Sequence, residues 1–182
     1  MSRPPGGHKG RGALSNRAGR FEALAREPWD DGWDDGGDGL EEAPGRPRTE
    51  LVPDRSRTIL AWNDSPDVPF DRSLNPYRGC EHGCIYCFAR PSHAYLGYSP
   101  GLDFETRLLY KPGAADLLRR ELRRPGYRCA PVALGANTDP YQPAERRLGI
   151  TRALLEVLAE ARHPVGIITK AALVERDIDL LA

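Results

Sequence analysis

The sequence predicts an α/β fold over residues 56–182, preceded by a disordered arm over residues 1–55. Two observations lead to this division. The first fifty residues contain ten glycines and five prolines, and their few apolar side chains have no regular spacing. From residue 57 onward, short apolar runs alternate with segments of helical periodicity, a pattern that predicts a parallel sheet with crossover helices.

The arm is predicted to be disordered because its composition cannot bury enough apolar area to offset the conformational entropy lost on ordering. Residues 1–20 carry five basic and no acidic side chains, and residues 30–42 carry seven acidic and no basic ones. The basic cluster suits either a solvated tail or contact with nucleic acid. Apolar side chains at Phe21 and Leu24 permit a short helix at residues 20–26.

The elements of the folded part follow from apolar periodicity and from proline and glycine breaks. A helix at residues 114–124 places Leu117 and Leu118 on one face and ends at Pro125. Thr151 is the predicted N-cap of the next helix. The other predicted elements are strands at residues 58–62, 73–78, 104–110, 131–136 and 165–169, and a last helix that begins at residue 173.

Three cysteines, Cys80, Cys84 and Cys87, stand at C-x3-C-x2-C spacing directly after the predicted strand at residues 73–78. Thiolates hold iron–sulfur clusters, and three close thiolates can ligate three corners of a four-iron cluster and leave one iron open. An open position on a metal distinguishes a catalytic site from a closed structural one. The fourth cysteine, Cys129, precedes an apolar run and is predicted to be a small buried side chain.

Polar side chains follow the two later strands of the predicted parallel sheet. Asn137, Thr138 and Asp139 follow one strand, and Lys170 follows the other. Because the carboxyl ends of parallel strands meet at one edge, these side chains are predicted to share a crevice with the cysteines. The alternative for the first three is a polar turn before a proline.

The cysteine motif carries a resemblance to a known family. The spacing, the aromatic Tyr86 just before the third cysteine, the run NPYRGC at residues 75–80 and the run ARP at residues 89–91 resemble the radical S-adenosylmethionine (radical SAM) enzymes. Within them the chain is similar to the spore-photoproduct-lyase-like group, from Trp62 onward. The resemblance implies a [4Fe-4S] cluster, S-adenosyl-L-methionine as cofactor, its reductive cleavage to a 5′-deoxyadenosyl radical, and hydrogen abstraction from a substrate.

The resemblance also implies roles for single residues. Cys80, Cys84 and Cys87 would ligate the cluster, and Tyr86 would pack beside the cluster or the adenine. Asn137, Thr138 and Asp139 would bind the methionine amino group, Lys170 would neutralise the methionine carboxylate, and Glu145 would orient the loop or the cofactor. Arg78 and His82 flank the cysteines.

The implied fold is the N-terminal part of a partial (β/α)6 TIM-like barrel, because residues 73–182 supply about three of its six β/α units. An external one-electron donor of the flavodoxin or ferredoxin type is implied as a partner. Spore-photoproduct lyases use a cysteine after the second strand as a hydrogen-atom donor, and Asn137 stands at the matching position. An amide cannot serve that role, so the substrate stays open, with nucleic acid as one candidate class.

Two alternatives remain beside this interpretation. The three cysteines with His82 or His93 could hold a structural zinc, which would make the chain a non-catalytic zinc or iron–sulfur module. A chain of this length could also be an inactive fragment of a longer enzyme.

Composition and hydropathy limit the partners and the cellular compartment that we predict for the protein. The formal net charge is zero, so the chain has no global field that would attract nucleic acid or a membrane. The sequence contains no run of eighteen apolar residues and no signal peptide. We therefore predict a cytoplasmic protein without a membrane partner, in a compartment that keeps thiols reduced.

Overall fold

A computed structural model describes residues 11–19, 21 and 47–182, and these residues form seven strands and five α-helices. The strands are β1 (Glu50–Pro53), β2 (Leu60–Trp62), β3 (Arg72–Leu74), β4 (Tyr77–Arg78), β5 (Arg107–Tyr110), β6 (Val132–Leu134) and β7 (Val165–Ile167). The α-helices are α1 (Leu102–Thr106), α2 (Ala114–Leu122), α3 (Glu145–Leu148), α4 (Ile150–Glu160) and α5 (Ile178–Leu181), and two 3₁₀ helices cover Arg90–Leu96 and Ala172–Asp177.

A four-stranded sheet has the order β2-β3-β6-β7. β3, β6 and β7 are parallel, with Leu74 opposite Leu134 and Leu134 opposite Ile167, whereas β2 runs antiparallel to β3. The parallel pairing of these three strands agrees with the prediction. Their carboxyl ends therefore lie along one edge of the sheet, and the segments that follow them start side by side.

A second sheet has the order β1-β5-β4, in which β1 is parallel and β4 antiparallel to β5. The single strand predicted at residues 73–78 is instead split between the two sheets at Pro76, which has no N–H to donate to a ladder. The strand predicted at residues 104–110 begins as helix α1 and becomes extended only at Arg107. The described residues form no closed barrel, and the partial (β/α)6 barrel stays a prediction.

The main core lies between the four-stranded sheet and the pair of helices α2 and α4. Leu74 and Leu134 of neighbouring strands are fully buried together with Leu118 of α2 and Leu154 of α4. Burial of each such side chain contributes about 1.5–3 kcal/mol of transfer free energy. These contacts fix the sheet edge from which the candidate site is built.

The start of α4 differs from the prediction. Gly149, in the left-handed region at φ +63°, precedes the helix, and Thr151 lies inside it. The Thr151 hydroxyl donates to the Pro140 carbonyl at 2.5 Å instead of capping the helix. The predicted cap is wrong because a carbonyl distant in sequence takes this hydroxyl.

Parts of the predicted disordered arm have defined structure. β1 pairs with β5, and residues 11–19 make hydrogen bonds with the folded part. The prediction of disorder does not hold for these residues. The rest of the arm lies outside the described residues, including the helix predicted at residues 20–26 except for Phe21, whose ring centroid is 4.9 Å from that of Tyr95.

Within the described part of the chain, no helix has both the length and the apolar character that crossing a membrane requires.

Candidate functional site

The cysteine loop begins directly after β4 and turns on two glycines. Gly79 and Gly83 have φ values of +82° and +61°, in the left-handed region that favours glycine. A Cβ on Gly79 would lie 2.8 Å from the Phe104 carbonyl oxygen, and the Cys80 amide donates to the same oxygen at 2.8 Å. The loop is thus held tightly against α1, with Cys80 buried and the other two cysteines half-buried.

The loop borders an open cavity of about 460 Å³. Its volume lies within the range of about 300–1,000 Å³ that small-molecule sites occupy. The other walls are the segments that follow β6 and β7. Every residue predicted to ligate the cluster or bind the cofactor lines this cavity: Cys80, Cys84, Cys87, Tyr86, Asn137, Thr138, Asp139 and Lys170.

Two cysteines have distinct surroundings. Burial raises the pKa of Cys80 to about 11, so its thiol would have to lose a proton before it could bind a metal. Lys170 Nζ lies 2.7 Å from Cys84 Sγ, and this contact raises the pKa of the lysine. The end of β7 therefore places a positive charge against the middle cysteine.

Asp139 joins the three loops around the cavity. Its Oδ1 accepts hydrogen bonds from the Tyr141 amide at 2.8 Å and the Thr169 hydroxyl at 2.7 Å. Its Oδ2 accepts from the Lys170 amide at 3.0 Å and lies 3.3 Å from His82 Nε2. Burial raises the pKa of this carboxyl group, but the contact with His82 and the three hydrogen bonds outweigh it and lower the pKa to about 2.

We expect Asp139→Asn to remove a pH-dependent part of the stability. The folded-state pKa is about 2 against an ordinary 3.8, so the carboxylate contributes about 2 kcal/mol above its unfolded pKa, and this contribution is lost as the pH falls toward the folded value. Urea unfolding at stepped pH should show a deficit of the variant near neutrality that disappears in acid. The exposed Asp67→Asn is the control, and a deficit that does not change with pH would refute the account.

The loop after β6 is tied to the segment that joins β3 and β4. The Asn137 amide donates to Asn75 Oδ1 at 2.9 Å. Thr138 is buried, and its hydroxyl donates to the Tyr77 carbonyl at 2.7 Å. The Thr138 oxygen keeps lone pairs that can accept from a ligand, whereas both oxygens of Asp139 already accept from the chain.

Gln142 is a site residue that the sequence analysis missed. Its side chain is fully buried, its Nε2 donates to the Gly79 carbonyl at 3.1 Å, and its Oε1 accepts from the Glu81 amide at 3.0 Å. It therefore holds the backbone on both sides of Cys80. No spacing rule points to it, because a glutamine in a polar loop has no periodic signal.

Arg78, predicted to flank the cysteines, and His93, a candidate zinc ligand, both lie outside the cavity. Arg78 pairs with Asp54 at 3.2 Å, and His93 is buried outside the cavity with Nε2 3.0 Å from the Arg107 carbonyl oxygen. Cys129 is exposed, and the prediction of a buried side chain is wrong because the chain before β6 is irregular and faces solvent.

Glu145 lies beneath the loops rather than in the cavity. Its fully buried carboxylate accepts from the Tyr77 hydroxyl and from the Thr151 amide at the start of α4. Glu145 can therefore orient the cysteine loop only indirectly, through its contact with Tyr77 in β4.

Among residues 11–19, 21 and 47–182, no group of three or more His, Cys, Asp and Glu side chains is arranged to share one metal ion.

Comparisons with known proteins yield relatives without an assigned activity. No protein-family model matches the chain, and no solved structure is significantly similar to it. The chain is 50% identical over 115 residues to uncharacterized proteins of Mycobacterium tuberculosis and Mycobacterium bovis, which covers 63% of this chain and 34% of each relative. It is 28% identical over 107 residues to an uncharacterized protein of Methanocaldococcus jannaschii, which covers 59% of this chain and 38% of that protein. The chain thus matches little more than a third of the length of these curated relatives.

Proposed function

We propose that the protein is a radical SAM enzyme of the spore-photoproduct-lyase-like group. Cys80, Cys84 and Cys87 hold a [4Fe-4S] cluster, and S-adenosyl-L-methionine binds in the adjoining cavity. One observation carries the proposal. Three thiols from one loop and the polar residues that end β6 and β7 line a single open cavity, as a site at the carboxyl ends of parallel strands requires.

Cysteine thiols are suitable ligands for the proposed [4Fe-4S] cluster. Thiolates are the usual protein ligands of iron–sulfur clusters. Thiolates that bind three different irons do not converge on one point, so the proposal requires only that the three side chains reach a common space, as they do here. Because burial raises the pKa of Cys80 to about 11, this thiol would have to give up its proton to serve as a ligand.

The residues around the cavity have separate tasks in this proposal. When bound, the cluster and S-adenosyl-L-methionine supply the one-electron reductive cleavage that yields a 5′-deoxyadenosyl radical. The exposed Lys170 ammonium pairs with the methionine carboxylate, and the Thr138 hydroxyl accepts from the methionine amino group. Asp139 keeps the loops of both residues at a fixed separation through its hydrogen bonds.

The rim of the cavity is apolar. Tyr86 and Phe88 are 83% and 77% exposed, and Ile168 is 55% exposed. A bound cofactor or substrate would cover these side chains and exclude water from the reacting atoms. Tyr86 is the side chain that we assign to the adenine.

We also propose a cytoplasmic location, a flavodoxin-like or ferredoxin-like electron donor, and a partial (β/α)6 barrel. Nucleic acid is a candidate substrate. Asn137 lacks a hydrogen atom that it could donate as a thiol does, so we do not propose spore-photoproduct repair.

Anaerobic reconstitution tests the proposal directly. We expect about four irons and a matching amount of sulfide per chain, and release of 5′-deoxyadenosine when dithionite and S-adenosyl-L-methionine are added. Zinc without sulfide would support the structural zinc module instead. Iron and sulfide without the nucleoside would refute the enzymatic part of the proposal.

A further inference from the structure

Glu105 is a fully buried carboxylate beside the cysteine loop that the proposed reaction does not use. Its Oε1 accepts from the Ala13 amide at 2.9 Å and from the Arg90 guanidinium. Its Oε2 accepts from the Gly12 amide at 3.0 Å. A buried charge is destabilising unless it is paired and hydrogen-bonded. The contacts with Gly12, Ala13 and Arg90 therefore offset the cost of burying the Glu105 carboxylate.

Arg90 extends the contact from Glu105 to the middle cysteine. Its Nε and Nη2 donate to the Cys84 carbonyl at 3.1 Å and 3.0 Å, and its Nη1 donates to the Gly101 carbonyl at 3.2 Å. A guanidinium is a rigid planar fork, so a fixed Arg90 fixes the position of the peptide group that it holds. The Arg90 side chain is only 14% exposed, which limits competition from water.

Residues 11–17, which we call the strap, lie across the cysteine loop and hold Glu105 from the other side. A Cβ on Gly12 would lie 2.0 Å from the Gly83 carbonyl oxygen, so the two backbones touch. The Arg11 guanidinium donates to the Glu105 carbonyl at 2.6 Å and to the Thr49 hydroxyl at 2.9 Å.

The far end of the strap is also attached. The Ser15 carbonyl accepts from the Leu102 amide at 3.2 Å, and the Arg17 carbonyl accepts from the Ser99 hydroxyl at 2.6 Å. Gly101 is required here, because a Cβ on it would lie 2.1 Å from the Ser15 carbonyl oxygen. The strap is therefore held at both ends over the loop.

We infer that the strap positions Cys84 for cluster binding through Glu105 and Arg90. The strap amides hold the Glu105 carboxylate, the carboxylate holds the Arg90 guanidinium, and the guanidinium holds the Cys84 carbonyl. Gly12, Ala13, Glu105 and Arg90 are positioning residues, since none of these four lines the cavity, whereas Cys84 does. The ligand role of Cys84 rests on the proposed function, whereas the contacts among the strap, Glu105, Arg90 and Cys84 do not.

Gly12→Ala tests the inference in the full chain, with Gly113→Ala as the matched control because a Cβ on Gly113 meets nothing within 4 Å. Hydrogen exchange of the cluster-free protein is followed by mass spectrometry in the strap, in residues 84–90 and in residues 137–142. Gly12→Ala should speed exchange in the first two segments at least about tenfold, which corresponds to about 1.4 kcal/mol, and leave the third unchanged. Gly113→Ala should change none of them.

Faster exchange in the strap without a change in residues 84–90 would overturn the inference, and so would no change in either segment. Ala13→Pro removes the amide hydrogen that bonds Glu105 Oε1 and also restricts the backbone at residues 12 and 13. It should act in the same direction and is the second variant. In reconstituted protein, Gly12→Ala should also shift the reduction potential of the cluster, and Gly113→Ala should not. Failure of the wild-type chain to take up a cluster would refute the proposed function, while the exchange data would still decide the role of the strap.

Discussion

Cys84→Ala is expected to lose essentially all bound iron and sulfide after anaerobic reconstitution, whereas Cys129→Ala is expected to keep the wild-type amounts. Cys84 is the middle cysteine of the loop, lines the cavity and contacts Lys170 at 2.7 Å. In this variant only two of the three thiolates that we assign to the cluster remain, so one iron loses its protein ligand. We expect iron to fall from about four per chain to well below one, and 5′-deoxyadenosine to fall to background.

Cys129 is the matched control because it is exposed and outside the cavity. Iron, acid-labile sulfide and the nucleoside should be measured on the same samples, with circular dichroism to show that both variants fold. Equal iron and sulfide in the two variants would contradict the ligand assignment. Loss of iron in both would mean that the cysteines act through the fold rather than as ligands.

Glu145→Ala is expected to lower the free energy of unfolding by about 2–6 kcal/mol, because the buried Tyr77 hydroxyl and Thr151 amide each lose their acceptor at a cost of about 1–3 kcal/mol. Arg176 keeps its ion pair with Asp177 at 2.7 Å. The carboxylate is fully buried and accepts from Arg176 Nη2 at 2.9 Å, from the Thr151 amide at 3.0 Å and from the Tyr77 hydroxyl. Burial and the nearby carboxylate raise the pKa of Tyr77, so the phenol stays protonated and able to donate.

The substitution should also loosen the Thr138 side of the cavity. Glu145 holds the Tyr77 hydroxyl, and the Tyr77 carbonyl accepts the hydrogen bond from Thr138. Urea unfolding measures the stability change. Glu160→Ala is the control, because Glu160 is exposed and its pair with Arg119 at 3.3 Å is a surface ion pair, a type that contributes little. If the two variants lose similar amounts of free energy of unfolding, the buried hydrogen bonds of Glu145 contribute no more to stability than a surface ion pair.

Much of the candidate site could be predicted from the sequence. Asn137 to Asp139 and Lys170 line the cavity with the cysteines, as the rule for the carboxyl ends of parallel strands predicts. Helix α2 also lies where Leu117, Leu118 and Pro125 indicate. These features could be predicted because they depend on short-range patterns and on one topological rule.

Other features could not be predicted because their partners are distant in the chain. Glu105 accepts a hydrogen bond from an amide 92 residues away, and Thr151 donates to Pro140 instead of capping α4. Gln142 bonds the backbone at Gly79 from 63 residues away. Long-range pairs of this kind leave no periodic trace, and glycine-rich composition alone favoured disorder for the strap.

Near neighbours along the chain were enough to identify the cysteine spacing, the apolar runs of the parallel strands and the polar residues that follow them. Contacts in three dimensions were needed to show that Asp139 ties three loops together, that Cys129 faces solvent and that the strap lies over the cysteine loop. The two groups of features differ because a buried polar group must find a partner wherever the fold supplies one. That partner is set by packing and not by position in the sequence.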